Sequence, residues 1–222
     1  MPSIFKYLPS KYIKALVERG DLLFRSLSYF RNYEEMQVRG DRHDGKRLYK
    51  PAHGLEITKT ETGEKLMLPG TLESSVRDRD IYVFCFSHQR SALLAKEFDA
   101  DACVEIHDPL ALLSKVRSAL ILRRWVKYAR LLHGRVDYYS PMNPPFAEWA
   151  VPERMVMRKT IDYSHQEEYR LAFARGDALR VNNVHTEITI GSSQTQPTLA
   201  GHPEHFLRLG RLANICTVHR FA

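Results

Sequence analysis

Residues 165–170 are the part of the chain whose side chains could most directly take part in chemistry. An amide and two carboxylates, Gln166, Glu167 and Glu168, stand where a turn is predicted to enter a β-strand. Successive side chains of a strand point to opposite faces, so Gln166 and Glu168 should share a face. A carboxylate beside a neutral amide can accept a sugar hydroxyl and stabilise the positive charge that develops as a glycosidic bond breaks. A solvated polar strand edge is the alternative interpretation of the same residues.

Cationic, aromatic and hydroxyl side chains stand on or just after three other predicted strands. Cations at a strand end can hold a pyrophosphate, and an aromatic ring can stack on a flat base or on a nicotinamide. A serine where a buried strand emerges is well placed to contact a ligand. Taken one at a time, the same residues are also typical of an ordinary core or strand edge. The candidate binding residues are Lys6, Tyr7, Arg25, Tyr29, Phe30 and Ser87.

The motifs of several common enzyme classes are absent from the sequence. It contains no glycine-rich phosphate loop, no HExxH zinc motif, no GxSxG nucleophile motif and no CxxC pair. None of the 10 histidines forms an HxH or HxxxH pair, and the close pair His202 and His205 has only Glu204 nearby as a further ligand. We therefore predict no metal site.

The composition is that of a globular protein with a basic surface. The 222 residues are 44% hydrophobic and 27% charged, enough for one core in a single domain over residues 1–222. The 33 Lys and Arg against 26 Asp and Glu give a net charge of +7, which attracts polyanions such as nucleic acid. With no apolar signal or membrane-spanning stretch and three widely spaced cysteines, we expect a cytoplasmic protein without a membrane partner.

The elements that must position these residues are mostly strands. The apolar run 80–87 is typical of a central strand buried on both faces. Because strands outnumber crossover helices, the pattern favours an α+β fold. Other strands are predicted at 4–7, 22–26, 102–106, 135–139, 154–161, 168–173, 187–190 and 215–218, with a hairpin at 55–59 and 65–68.

Helices and loops are predicted between these strands. Helices are expected from Ser10 to Gly20, over 91–98, and from Asp108 as a cation-rich segment of one or two helices that ends at Gly134. Residues 27–35 are predicted to form an aromatic turn. Residues 36–54 are so polar that we expect a loop that is disordered or acts as a lid.

Taken in chain order, the candidate residues resemble the motifs of the ADP-ribosyltransferase superfamily. Its members place an Arg or His on a first strand, a Ser-centred motif on a second and (Gln/Glu)-x-Glu on a third. Phe5-Lys6-Tyr7, Cys85-Phe86-Ser87 and Gln166-Glu167-Glu168 are similar to these in order and spacing. More closely, residues 4–173 resemble an uncharacterised bacterial family found among abortive-infection and defence proteins. A Lys or Tyr stands in the first motif where the superfamily has Arg or His, unless Arg25 takes that role.

This resemblance implies a split β-sheet core of two packed sheets with flanking helices, and a cleft that binds NAD as a substrate. Glu168 and Gln166 are then the catalytic residues. Glu168 would hold the ribose as the glycosidic bond breaks, and Gln166 would orient the acceptor. The NAD-binding residues implied are Lys6, Tyr7, Arg25, Tyr29, Phe30 and Ser87.

A Gln at the start of the third motif resembles superfamily branches that modify guanine bases or side-chain amides. Together with the charge of +7, it favours a nucleic-acid acceptor, RNA or DNA. The resemblance thus implies a toxin-like NAD-dependent ADP-ribosyltransferase of phage defence or a toxin–antitoxin system, with an antitoxin as a further partner.

Two alternatives to this enzyme stay open. One is a non-catalytic nucleic-acid-binding or protein-interaction module of a defence system, in which Glu167 and Glu168 simply pair with Arg170 or other cations. The other is a nuclease, for which the sequence offers no convincing catalytic His pair or carboxylate cluster.

Overall fold

The computed structural model describes residues 1–33, 43–126, 131–146, 151–190 and 201–221. It has mostly antiparallel sheets and few helices, so the predicted α+β class is confirmed. The α-helices are α1 (Ile13–Arg19), α2 (Leu27–Tyr33), α3 (Ala92–Glu97), α4 (Pro109–Ile121) and α5 (Pro152–Val156). The strands are β1 (Ile4–Leu8), β2 (Asp21–Ser26), β3 (Lys46–Tyr49), β4 (Leu55–Thr58), β5 (Lys65–Leu68), β6 (Gly70–Ser75), β7 (Ile81–Ser87), β8 (Ala102–Ile106), β9 (Leu132–Arg135), β10 (Asp137–Tyr139), β11 (Arg158–Thr160), β12 (Glu168–Ala174), β13 (His185–Ile190), β14 (Glu204–Arg208) and β15 (Cys216–Arg220).

The main sheet has eight strands arranged around β7, which confirms the predicted central strand. One path through the sheet runs β14-β2-β7-β1-β8-β15, and β12 pairs with both β7 and β9. The β7–β12 ladder is continuous from Ser87 opposite Glu168 to Ile81 opposite Ala174. The strands β1, β2, β7 and β12 therefore all belong to one sheet, with β7 in contact with the other three.

The other edge of β7 is shared between two strands that each pair with only part of it. Within the described residues, β2 pairs with β7 at Tyr82 and Val83, and β1 pairs with it at Ser87. Residues 84–86 therefore have no ladder partner on this side. The carbonyl oxygen of Cys85 instead accepts a hydrogen bond of 2.8 Å from the Lys6 ammonium. The main sheet consequently opens between β1 and β2.

Three apolar clusters of described residues pack against the main sheet, and residues of β12 alternate between two of them. Leu171 and Phe173 lie in the larger of these two clusters, and Ala172 lies in the other. The larger cluster also holds the buried face of α4, whose start is capped by the Asp108 carboxylate as predicted. Burial on both faces explains why β7 and β12 read as apolar runs.

Several local predictions are confirmed. Helix α1 ends at Gly20 in the left-handed conformation, and Ser91 caps α3. The predicted hairpin is the β4–β5 pair, with the positive φ of Gly63 at its turn. The predicted end of the cation-rich helical segment at Gly134 is wrong, because α4 ends at Ile121 and Gly134 lies in β9, which pairs with β12; residues 127–130 lie outside the described residues.

Three further predictions of secondary structure are wrong in the segments 27–35, 36–54 and 154–161. The aromatic turn is helix α2, whose first residue Leu27 is fully buried. The strand predicted at 154–161 is helix α5 followed by the short β11. The polar loop contains β3, which pairs with β6 and buries Arg47 and Leu48; its residues 36–42 lie outside the described part. In each case tertiary contacts outweigh the local composition.

No helix in the described part of the chain is long and apolar enough to cross a bilayer. The longest apolar helix, α4, has 13 residues.

Gly20→Ala should destabilise the protein more than Gly63→Ala. Both glycines have positive φ, +63° and +71°, which costs an alanine about 1 kcal/mol. At Gly20 the new Cβ would also collide with the carbonyl oxygen of Gly210, whereas no described atom lies within 4 Å of that position at Gly63. Urea denaturation should show a loss of about 1 kcal/mol for Gly63→Ala and at least about twice that for Gly20→Ala. Equal losses would contradict the close approach to Gly210.

Candidate functional site

A cavity of about 190 Å³ lies where the main sheet opens along β7. It can hold far more than the single water molecule that fits in about 10–15 Å³. The candidate residues come from four separate segments of the chain, and all of them line this cavity. They are Lys6, Tyr7, Arg25, Tyr29, Phe30, Ser87, Gln166 and Glu168.

Glu168 is a buried carboxylate held between two cations. Its Oε1 accepts a hydrogen bond of 2.7 Å from Nε of Arg170, and its Oε2 lies 2.8 Å from Nζ of Lys159. Burial alone would raise the pKa of Glu168, but the two positive charges and their hydrogen bonds outweigh burial and hold it well below its usual range. These ion pairs therefore stabilise the fold fully above the unfolded-chain pKa of about 4.3, and lose this effect as the pH falls through the lowered pKa.

Arg170 connects Glu168 to a second buried carboxylate, that of Asp44. Its Nη1 and Nη2 donate to the two carboxylate oxygens of Asp44 at 2.7 and 3.1 Å, and Nη1 also donates to the carbonyl oxygen of Val156. Burial alone would lower the pKa of Arg170, but Asp44 and Glu168 raise it well above its usual value. We call Asp44, Arg170, Glu168 and Lys159 the buried charge network; its formal charges sum to zero.

The amide of Gln166 extends this network towards α3. Its Oε1 lies 3.4 Å from Nζ of Lys159, and its Nε2 donates to Oε1 of Glu97 at 3.2 Å. The same carboxylate oxygen lies 3.0 Å from Nε2 of His165. The two predicted catalytic residues, Gln166 and Glu168, thus share one neighbour, Lys159.

A tight turn at Glu167 sets the relative positions of Gln166 and Glu168. Gln166 is the last residue of a 3-10 helix (Ile161–Gln166), Glu167 has a φ of +42°, and β12 begins at Glu168. Gln166 and Glu168 are buried at the cavity, while Glu167 is exposed. The expectation of an extended strand through all three residues is wrong, because a left-handed turn brings the two side chains together.

Lys6 and Tyr7 have their polar groups bonded within the protein. Besides the bond from Lys6 to Cys85, the Tyr7 hydroxyl donates to the carbonyl oxygen of Gln89 at 2.8 Å and accepts from the N–H of Ser91 at 2.6 Å. Both side chains therefore fasten β1 to β7 and to the residues after it. At the cavity they form part of the wall.

Ser87 joins the end of β7 to the turn at Glu167. Its hydroxyl donates to the carbonyl oxygen of Gln166 at 2.8 Å and accepts from the N–H of Gln89 at 3.1 Å. It lies directly opposite Glu168 in the β7–β12 ladder. Ser87 therefore holds Gln166 and Glu168 in place against β7.

Arg25, Tyr29 and Phe30 form a more exposed part of the cavity wall. The Arg25 side chain is 33% exposed, lies 4.0 Å from the centre of the Tyr29 ring and pairs with Glu204 at 3.1 Å. The Tyr29 and Phe30 rings meet edge to face. Since the Glu204 side chain is 53% exposed, its ion pair with Arg25 contributes little, and an anionic ligand can displace it.

Sequence reasoning missed Lys159 and Asp44. Lys159 was part of a longer predicted strand, and Asp44 lies in the segment expected to be a loop. One signal was present: an arginine in the middle of an apolar strand, Arg170, needs a buried anionic partner. The sequence could not identify Asp44 as that partner, because Asp44 is 126 residues away from Arg170 along the chain.

Comparison with protein-family models, with curated proteins and with solved structures finds no match. The family resemblance of the three motifs therefore rests on the residues that compose them. Within the described residues, no group of three or more His, Cys, Asp or Glu side chains is arranged to hold a metal ion.

Asp44→Asn should strongly destabilise the protein, because it leaves the buried guanidinium of Arg170 with one carboxylate instead of two. Removing one partner of a buried ion pair typically costs about 3–5 kcal/mol. The free energy of unfolding, measured in urea, should fall by about this amount. Glu56→Gln, which removes the exposed partner of Lys65, is the matched control and should change it little. Small losses in both variants would argue against the buried pairing of Asp44.

Proposed function

We propose that the chain is an NAD-dependent ADP-ribosyltransferase that modifies nucleic acid. The observation that carries this proposal is the cavity, because residues chosen from four distant segments for their resemblance to the superfamily all line it. The role in phage defence or in a toxin–antitoxin system, the cytoplasmic location and an antitoxin partner belong to the same proposal. The split of the sheet along β7 is compatible with the cleft that the resemblance implies.

In this proposal, Arg25 holds the pyrophosphate of NAD. Of the three residues considered for the first motif, Lys6 and Tyr7 use their polar atoms to fasten β1. Arg25 instead has an exposed partner, Glu204, that a phosphate can displace. The neighbouring rings of Tyr29 and Phe30 are suited to stacking on a flat heterocycle.

Glu168 supplies the negative charge that the reaction needs. The bond between the nicotinamide nitrogen and the ribose breaks, and nicotinamide leaves with the electron pair of that bond. A nucleophile of the acceptor forms the new bond to the ribose carbon, and its proton is released to water. A carboxylate has about four acceptor positions, so Glu168 can accept a ribose hydroxyl in addition to its two cations. Gln166, fixed at the same end of the cavity, would orient the acceptor.

A second candidate, the non-catalytic nucleic-acid-binding module, is favoured by one observation. Both oxygens of Glu168 meet a cation, Arg170 or Lys159, as that alternative expects of a carboxylate with a structural role. The two candidates differ in a simple measurement, because the module binds nucleic acid without consuming NAD.

NAD should raise the thermal unfolding temperature of the protein, because a ligand that binds only the folded state stabilises it. Arg25→Gln should increase the NAD concentration needed by about tenfold or more, the effect expected for losing a hydrogen bond from a charged group. The measurement is a thermal melt at increasing NAD concentration.

Arg208→Gln is the matched control for this titration. Arg208 lies on β14, has an exposed side chain that pairs with Asp21, and is not among the residues that line the cavity; Asp21 keeps a second cation, Arg19. It should respond to NAD as the wild type does. Absence of any NAD effect on the wild type would contradict the proposal.

RNA or DNA should receive the label when the protein is incubated with NAD labelled in its ADP-ribose part and with separate pools of RNA, DNA and cell protein. Contacts to phosphates should dominate acceptor binding, so labelling should weaken as the salt concentration rises. Label on protein alone would exclude the nucleic-acid acceptor but retain the transferase, and no NAD consumption with any pool would favour the binding module.

Glu168→Gln is the inactive control in the same experiment. It removes the anion that two buried cations share, so it should also lower the stability of the protein. Its labelling is therefore measured at a temperature where circular dichroism shows that it is folded.

A further inference from the structure

We propose that Lys159 is a positioning residue that links Gln166 and Glu168, keeping the carboxylate ionised and fixing which way the amide points. Its catalytic consequence rests on the proposed function, whereas the contacts themselves do not. The two residues reach the cavity from either side of the turn at Glu167, and Lys159 reaches it from a different strand, β11. None of the three motifs includes Lys159.

The side chain of Lys159 is 6% exposed, so its ammonium group needs partners inside the protein. Nζ lies 2.8 Å from Oε2 of Glu168 and 3.4 Å from Oε1 of Gln166. Lys159 also lines the cavity beside these two residues. It is therefore a buried cation in contact with both predicted catalytic residues.

The contacts of the Gln166 amide determine its orientation. An ammonium group can only donate, so it must face Oε1, and the carboxylate of Glu97 faces Nε2. A flipped amide would place its NH₂ group against the ammonium and its oxygen against a carboxylate. Lys159 and Glu97 thus fix the orientation of the Gln166 amide. Its remaining donor and acceptor positions can face a bound molecule in only one arrangement.

Several other titratable or charged groups surround Glu168. Arg170, which also pairs with Asp44, approaches Glu168 from β12. The thiol of Cys85 comes from β7, with Lys6 of β1 beside Cys85, and the hydroxyl of Tyr138 on β10 accepts the backbone N–H of Glu168. Burial raises the pKa of Cys85 to about 12 and raises that of Tyr138, so neither ionises near neutral pH.

The charge balance around Glu168 depends on Lys159. Arg170 is shared with Asp44, so these two residues neutralise each other, and Lys159 balances Glu168. Without the lysine, the buried carboxylate keeps only a shared cation while its desolvation remains. Protonation of Glu168 would then become easier.

The test measures the titration of the Glu168 carboxyl carbon by NMR in the wild type, Lys159→Met and Lys159→Arg. In the wild type and in Lys159→Arg the signal should show no titration step between pH 4 and 8. In Lys159→Met a titration step of Glu168 should appear within this range, and the side-chain amide signals of Gln166 should shift. Lys65→Met, which removes an exposed lysine paired with Glu56, should match the wild type.

The pH profile of NAD cleavage gives the functional readout. In Lys159→Met the profile should gain an acidic limb between pH 4 and 8 at the Glu168 midpoint, and Lys159→Arg should lack it, which a purely structural lysine would not produce. If the wild type does not cleave NAD, the proposed function fails, while the NMR titration still decides the role of Lys159. If folded Lys159→Met also shows no titration step of Glu168 between pH 4 and 8, the inference is overturned.

A second measurement on the wild type covers the case in which Lys159→Met does not fold. The ammonium hydrogens of Lys159 should exchange with water far more slowly than those of the exposed Lys65. Exchange at the same rate would show that the ammonium is not held by Glu168 and Gln166, and would also overturn the inference.

Discussion

The need to neutralise one arginine inside the main sheet governs the centre of this fold. Arg170 lies in the middle of the sheet with no exposed surface, and its guanidinium uses Asp44, Glu168 and the carbonyl oxygen of Val156. Burying a charge is costly unless it is paired and hydrogen-bonded, so each of these partners must be delivered by its own segment. The residues before β3, the end of α5 and the start of β12 are thereby fixed relative to one another. One of these partners, Glu168, also lines the cavity.

The opening of the sheet has a comparable physical basis. A strand with unpaired backbone groups in a protein interior is unfavourable unless another donor or acceptor replaces the missing partner. At Cys85 that replacement is the Lys6 ammonium. The long side chain bridges a gap that a backbone N–H could not reach, so β1 and β2 can diverge without leaving that carbonyl unsatisfied. The cavity can form because the Lys6 side chain, in place of a strand, satisfies the Cys85 carbonyl oxygen.

Patterns that depend on neighbouring residues could be read from the sequence, and patterns that depend on distant partners could not. The apolar run of β7, the Asp108 cap and the Gly20 end of α1 are local, and all are confirmed. The cavity residues could be selected because their chemical types stand at strand ends. The position of β3 depends on pairing with β6, which no property of residues 36–54 reveals.

The Asp44–Arg170 contact joins positions that are 126 residues apart, and this separation has a consequence for synthesis of the chain. A growing polypeptide carries Asp44 and the whole of β7 long before Lys159, Glu168 and Arg170 have been made. During that interval the Asp44 carboxylate lacks its partner Arg170, and β7 lacks its neighbouring strand β12. The walls of the cavity can therefore close only after β12 has left the ribosome, so a nascent chain shorter than this cannot carry the assembled site.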